Sequence, residues 1–482
     1  MRMPEKAMTR RRLIFILATT ALTGAVLFGA ARAHDVPKVA TGFVANILCS
    51  ETFVSGLDPE KTFAETIDAM PGTRLITWAM DYRVDRTRKD VTVTLFGLGR
   101  SHAVYRNGAG CYLDHGGVAA EVAMPSADRQ PALLPDIAGP AVVQPANPQL
   151  AAALDRAFVE PAQPPFRRTR ALVVMKDGHV VAERYAEGFG VDTPLLGFSA
   201  TKSVTSALVG ILVRQGKLSL DAPAPVAGWR DPNDPRHAIT IDQLVRHTAG
   251  LGLGSSLQAS LGSAFEPVNR MKFMEPDMAG YAETIALATP PGTAWSYHDG
   301  NYLILSQVIR NAVGGRPSDY LRFARDELFA PLGMRHVTIE FDASGTPEGS
   351  SQMLASARDW ARFGQLYLDD GIVGGKRILP EGWVTYSAAP TPGGFVGYGA
   401  GFWTNLGDSR GATYRLSEGW PRDAFIAKGT IGQYVIIIPS QRLVIARFGR
   451  TVNFPLDADG VSQLVRDVIA ATAGKEKLAG RD

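Results

Sequence analysis

Ser199 and Lys202 stand one helical turn apart in Ser199-Ala-Thr-Lys202, the only Ser-x-x-Lys of the 482-residue chain, so a hydroxyl and an amine share one face of the helix that follows. A serine at the mouth of a helix sits beside unpaired backbone N–H groups and the positive end of the dipole, where an oxyanion would be stabilised. A lysine buried at that spot is readily tuned to relay a proton, and the pair then has the parts of a nucleophilic acyl transfer. Four common residues also meet by chance, and the plainer reading makes Ser199 an N-cap and Lys202 a solvated first-turn residue. A first-turn lysine opposes the helix dipole, which favours the chemical reading. Gly407-Asp-Ser409-Arg-Gly411 is a second serine motif, of the Gly-x-Ser-x-Gly form. That chemistry needs a strand-to-helix elbow, whereas Gly411–Leu416 reads as another strand, so Ser409 is assigned to a hairpin turn.

No Cys-x-x-Cys, His-Glu-x-x-His or phosphate loop occurs and the eight histidines are scattered, so the sequence supports neither a metal nor a cofactor. His247, in His247-Thr-Ala-Gly, reads as a loop-ordering residue.

The elements that must position these residues are legible in outline. Val204, Ala207, Leu208, Ile211 and Leu212 recur at helical spacing and Gly216 follows as a stop, so Ser199 opens a core helix. Ala171–Met175 and Val180–Tyr185 flank Lys176-Asp-Gly178 as a β-hairpin. A second hairpin, Tyr434–Ile438 with Arg442–Ala446, is followed by a last helix over Val461–Ala473, and a further helix spans Leu150–Phe158. Strands at both ends of a helical middle predict an α+β fold, with an antiparallel sheet flanked by helices and a helical subdomain.

Ahead of that domain, residues 34–120 read as a small α+β module: a helix from Glu60 to Ala69, then strands at Leu75–Met80, Val91–Phe96 and Ala103–Arg106, with a turn at Gly97-Leu-Gly99. Residues 121–149 are rich in Pro and Ala, a linker or a segment draped over the next domain. The hydrolytic candidates fall in 150–475, and 476–482 form a tail. Residues 1–33 carry Arg10-Arg11-Arg12, an apolar stretch from Leu13 to Leu27 and an Ala31-Arg32-Ala33 site, which predicts a signal peptide cut after Ala33 and a periplasmic or secreted protein. An uncleaved anchor is the alternative, and Thr9-Arg10-Arg11 partly matches a twin-arginine signal. Removing that segment's +5 from the chain's +3 leaves about −2, which excludes nucleic acid as an expected partner, and no membrane role is expected beyond the signal segment. The two cysteines, Cys49 and Cys111, are expected to pair in an oxidising compartment, with two buried thiols as the alternative. The sequence does not define an oligomeric state.

Three separated runs carry a family resemblance: Gly197-Phe-Ser-Ala-Thr-Lys-Ser203, Ile239-Thr-Ile-Asp-Gln-Leu-Val-Arg-His-Thr-Ala-Gly-Leu251 and Pro291-Gly-Thr-Ala-Trp-Ser-Tyr297. Over roughly 150–475 the chain resembles the serine β-lactamase-like superfamily, within it class C β-lactamases, related family VIII carboxylesterases and, most of all, 6-aminohexanoate-dimer hydrolases. The resemblance implies a β-lactamase/transpeptidase-like domain, Ser199 as nucleophile, Lys202 as its proton-relay partner and Tyr297 as general base, with a phenol pKa lowered by the lysine charge. It also implies an oxyanion hole completed by a backbone N–H at Ile431, on the strand Ala427-Lys428-Gly429-Thr430-Ile431-Gly432-Gln433.

Two departures stand out. The family's Tyr-x-Asn or Tyr-x-Ser is Tyr297-His298-Asp299 here, so an acid beside Lys202 would raise its pKa. The Lys-Thr-Gly box that recognises a carboxylate in β-lactamases is replaced by Lys428-Gly429-Thr430, and strand alternation does not fix where Lys428 points. The deacylating glutamate of class A β-lactamases has no counterpart. Residues 252–280 lie where related enzymes place a loop over the site, which makes Phe265, Met271, Phe273 and Met274 candidates for an acyl pocket or for plain core. The expected activity is an exported serine hydrolase acting on small amides or esters through an acyl-enzyme. The alternatives are a penicillin-interacting enzyme, which needs a working carboxylate anchor, and a non-catalytic envelope-binding protein on the same fold.

Overall fold

The computed structural model describes residues 35–124, 131–257, 265–453 and 456–473, so the signal segment and the tail assigned from sequence lie outside it. The chain starts with helix α1 (Asp35–Phe53), which packs across a four-stranded antiparallel sheet of sequential order: β1 (Met80–Asp85), β2 (Asp90–Leu95), β3 (Leu98–Arg106) and β4 (Gly110–Leu113). Val91, Val93 and Leu95 alternate on the face of β2 that meets Val44, Ile47 and Leu48 of α1. A disulfide joins Cys49 of α1 to Cys111 of β4. Helix α1 shows no simple apolar stripe in the sequence because most of its circumference is buried. The strand expected at Leu75–Met80 begins only at Met80. The preceding residues form short helical turns started by Pro71, and Leu75 and Trp78 are 62% and 76% exposed, without the half-burial a strand requires.

The Pro/Ala-rich segment is draped over the second domain. Its backbone N–H at Leu133 donates to the Pro331 carbonyl, its carbonyls at Ile137 and Val143 accept from Val180 and Glu183, and just ahead of it the Ala120 N–H donates to Ala343.

Helix α2 (Pro148–Phe158) leads into β5 (Thr169–Lys176) and β6 (His179–Tyr185). After β7 (Leu195–Leu196) comes α3 (Thr201–Arg214), then a helical region including α4 (Pro267–Met274) and α5 (Gly300–Ala312). Strands β8 (Thr338–Ile339) and β9 (Met353–Ala355) join β7 in a small sheet ordered β7-β9-β8, and α6 (Ala357–Leu368) follows. The chain then returns to the main sheet through β10 (Trp403–Thr404), β11 (Phe425–Gly429), β12 (Gln433–Ile438) and β13 (Leu443–Gly449), and ends in α7 (Ala458–Thr472).

That six-stranded antiparallel sheet has the order β10-β11-β12-β13-β5-β6, so the two predicted hairpins meet edge to edge with Val174 opposite Ile445. Both faces are covered. Leu172, Val174 and Ile436 pack under Leu154 of α2 and Val465 of α7, while Val173, Val435 and Val444 pack against Leu208 of α3 and Phe363 of α6. Each such fully buried side chain contributes about 1.5–3 kcal/mol. The fold is α+β, as the hairpins and intervening helices require.

One local assignment is corrected. Arg410–Ser417 is a helix, and Ser409 caps it by accepting the N–H of Ala412. A serine three residues before the first polar-to-apolar turn is as good a cap signal as a hairpin signal, and the capping alternative won. Its hydroxyl meets no base among the described residues, and its place is that of a helix cap.

Candidate active site

Ser199 lies in a one-turn 3-10 helix, Phe198–Ala200, that runs straight into α3. Phe198 is held at φ 46°, a left-handed value that a bulky residue avoids, and this kink turns the serine to the helix mouth. Lys202, 1% exposed, spends its three ammonium protons on three acceptors: Ser199 Oγ at 3.2 Å, Asp299 Oδ1 at 2.5 Å and the Ser350 carbonyl at 2.9 Å. Burial alone would push its pKa down, but Asp299 and Tyr297 outweigh burial and hold it above the ordinary lysine value. The same pair acts in reverse on Asp299. Burial raises that carboxyl, and Lys202 followed by Lys272 pulls it below the usual range. Lys202 and Asp299 are therefore an ion pair at neutral pH.

Tyr297 is 3% exposed, and Lys202 Nζ lies 4.9 Å from the centre of its ring. Lys202 does draw its pKa down, but burial is the larger effect and the net direction is upward. The lowered phenol expected from the sequence is thereby corrected: Tyr297 keeps its proton at neutral pH. Around it stand His247, with ring centroids 4.5 Å apart, Tyr398 at 5.5 Å, Trp295 at 6.0 Å and Trp403 at 6.3 Å. His247 accepts from Asn301 at 3.2 Å, and burial keeps it neutral, so its part is to order the wall behind Tyr297.

On the opposite side, Gly429 of β11 approaches the nucleophile turn so closely that a Cβ there would lie 2.1 Å from the Gly197 carbonyl oxygen. Only glycine fits. The hairpin then turns through Ile431 at φ 51°, whose carbonyl accepts from Thr451 N–H at 2.9 Å. Its own N–H has no protein acceptor among the described residues, although Ile431 is only 4% exposed. A buried orphan donor on the hairpin that packs against the Ser199 turn is the arrangement an oxyanion would satisfy.

Lys428 points to the Trp403 side of the sheet. Its Nζ lies 4.5 Å from the Trp403 ring and 5.3 Å from that of Tyr434, and it forms no ion pair among the described residues.

Of the proposed pocket residues, Met271 is fully buried core and Phe273 packs on Phe43 of α1 at 5.9 Å, so both are structural. Phe265 is exposed, and Met274 ends α4. Two features have no sequence signal. One is the Ser350 carbonyl, which any residue could supply. The other is the buried pair Lys272–Glu348 at 2.8 Å, with Lys272 also donating to Ser351 Oγ, which anchors α4 to the loop whose Ser350 carbonyl accepts from Lys202. Trp295 could have been found, since it sits inside the run that carries Tyr297.

With this geometry in hand, the comparisons are informative. The family model described as Beta-lactamase matches residues 158–468. The 6-aminohexanoate-dimer hydrolase of Paenarthrobacter ureafaciens is 27% identical over 226 residues, which cover 45% of this chain and 56% of that one, so the chain spans little more than half of this relative. Esterase EstB of Burkholderia gladioli is 31% identical over 183 residues, 35% of this chain and 42% of the esterase. A solved penicillin-binding protein homologue from Caulobacter crescentus shares the fold with a TM-score of 0.51 at 18% identity, over 70% of this chain and all of its own.

Proposed function

Because the chain belongs to the Beta-lactamase family of serine hydrolases, we propose that it is an exported enzyme that hydrolyses small amides or esters through an acyl-enzyme on Ser199. The observation that carries this reading is the contact of the fully buried Lys202 with both Ser199 Oγ and Asp299, beside the Tyr297 phenol.

The protonation states dictate the order of events. Lys202 is charged, so it accepts the Ser199 proton only as it passes one of its own to Asp299, the standing base of the site. The Oγ–carbon bond forms and the carbonyl electrons move onto oxygen, which the N–H groups of Ser199 and Ile431 receive. Collapse breaks the bond to the leaving amine or alcohol, which takes the phenolic proton of Tyr297. Asp299 returns its proton through Lys202 to Tyr297, and the original states are restored. Water then attacks the acyl-enzyme by the same route and Ser199 is released.

Relatives that bear the names of an aminohexanoate-dimer hydrolase and an esterase support small amides and esters as the substrate class. The penicillin reading is less well supported, since it needs a free carboxylate anchor and Lys428 is engaged over two aromatic rings. Export is supported by the basic and apolar run of residues 1–33 with its Ala31-Arg32-Ala33 motif, which reads as a signal peptide.

The test is p-nitrophenyl butyrate hydrolysis by the wild type and by Ser199→Ala. Loss of an activated nucleophile is expected to lower the rate at least about a hundredfold and to abolish labelling by a fluorophosphonate. Equal rates would refute the Ser199 assignment.

A further inference from the structure

The two residues at left-handed backbone angles that frame the oxyanion site belong to an unexpected core. Phe198 and Ile431, with Leu196, Leu354 and Val452, pack into the hydrophobic cluster of the N-terminal module, separate from the two clusters of the main sheet. The residues matched by the family model begin at 158, so the module that packs behind this site lies outside the matched region.

A charged connection runs alongside. Glu51, on α1 two residues after the disulfide-bonded Cys49, is 1% exposed and accepts Arg170 Nη1 through both carboxylate oxygens at 3.1 and 3.0 Å. It also pairs with Arg450, itself 2% exposed. The Arg450 guanidinium lies 5.2 Å from the ring of Phe198, and the next residue, Thr451, donates its N–H to the Ile431 carbonyl at 2.9 Å. One carboxylate on α1 thus reaches both turns that flank the oxyanion position. Backbone conformations disfavoured in isolation persist only where their surroundings over-determine them, and here the module supplies those surroundings.

We propose that the N-terminal module is a positioning element of the active site: Glu51, acting through Arg450, holds the Phe198–Ser199 and Ile431 turns so that their N–H groups converge on the substrate oxygen. This rests on the acyl-enzyme reading. It gives the module a role in the rate of reaction in addition to its role in folding, since small displacements of such donors cost rate steeply.

The experiment is steady-state kinetics of the full chain carrying Glu51→Gln, which keeps the shape and removes the charge, with p-nitrophenyl butyrate as substrate. The expected result is a fall in kcat of at least about tenfold with KM within about twofold, and a matching slowing of fluorophosphonate labelling at Ser199. Arg450→Lys, which keeps the charge and loses the planar contact with Phe198, is expected to behave likewise and serves if Glu51→Gln does not fold. Leu154→Ala, in the cluster on the far side of the sheet, is the control: it lowers the melting temperature and leaves kcat in place. Variants at Glu51 or Arg450 that melt earlier but retain wild-type kcat would overturn the proposal. A wild type that resists labelling, or a Ser199→Ala chain with full activity, would instead overturn the acyl-enzyme reading and this proposal with it.

Discussion

Replacing Asp299 by Asn removes the only carboxylate in contact with Lys202 among the described residues and leaves an ammonium that is 1% exposed, still bonded to Ser199 and to the Ser350 carbonyl. Stripping one partner from a buried ion pair costs about 3–5 kcal/mol if the other keeps its charge. At about 1.36 kcal/mol per tenfold, the balance between ammonium and free amine shifts by a hundredfold to several thousandfold toward the amine. The lysine then titrates within the accessible pH range. The assay is kcat/KM for p-nitrophenyl butyrate between about pH 5 and pH 10, because that quantity reports the ionisations of the free enzyme. In the wild type the Lys202 pKa is raised and that of Asp299 lowered, so both charges persist and neither of these groups bends the profile between about pH 5 and neutrality, the protonation of Asp299 lying below that range. In Asp299→Asn the standing base is gone and the neutral amine must act, so activity at pH 7 falls and climbs with pH as Lys202 loses its proton. A variant whose profile superimposes on that of the wild type would refute the assignment of Asp299 as the base.

Two further outcomes concern the module. Glu340 is buried and its pKa is pushed up from 4.5 to about 8, mainly by burial, so the folded chain holds a proton that the unfolded chain releases across that window. Stability from this group is present below about pH 4.5 and is lost as pH rises toward about 8; Glu340→Gln is therefore expected to flatten the fall in melting temperature over that range, and an unchanged pH dependence would count against it. The Cys49–Cys111 bond closes a sequence separation of 62 residues, and Cys49→Ser with Cys111→Ser is expected to cost about 4 kcal/mol by chemical denaturation. Two alkylatable thiols in the native protein would refute the bond.

Ser199, Lys202 and Tyr297 were legible because the proposed chemistry fixes their spacing: a serine and a lysine that touch across one helical turn leave little freedom in sequence, and Tyr297 lies in a run with its own turn signals. Asp299 was legible as a departure, two residues beyond that tyrosine. Its consequence for charge was legible at Lys202 but not at Tyr297, where burial outweighs the neighbouring lysine and burial is a property of the whole fold. The hairpins declared themselves by period and turn, whereas α1 did not, being buried on most sides. Glu51, Arg450 and Phe198 come from three distant parts of the chain, and no local pattern announces that they meet. Ser409 shows the limit from the other side, since a cap and a hairpin turn favour the same residue types.

The pairing of β5 with β13 also has a consequence in time. Val174 faces Ile445 across the middle of the sheet, so two stretches near opposite ends of the hydrolase domain must find each other before the floor beneath α3 exists. Contacts between such distant parts of a chain form slowly, after the local helices and hairpins. Until then Ser199 has neither a settled lysine nor its opposing hairpin. On the acyl-enzyme reading, the site is accordingly complete only once β13 has joined β5.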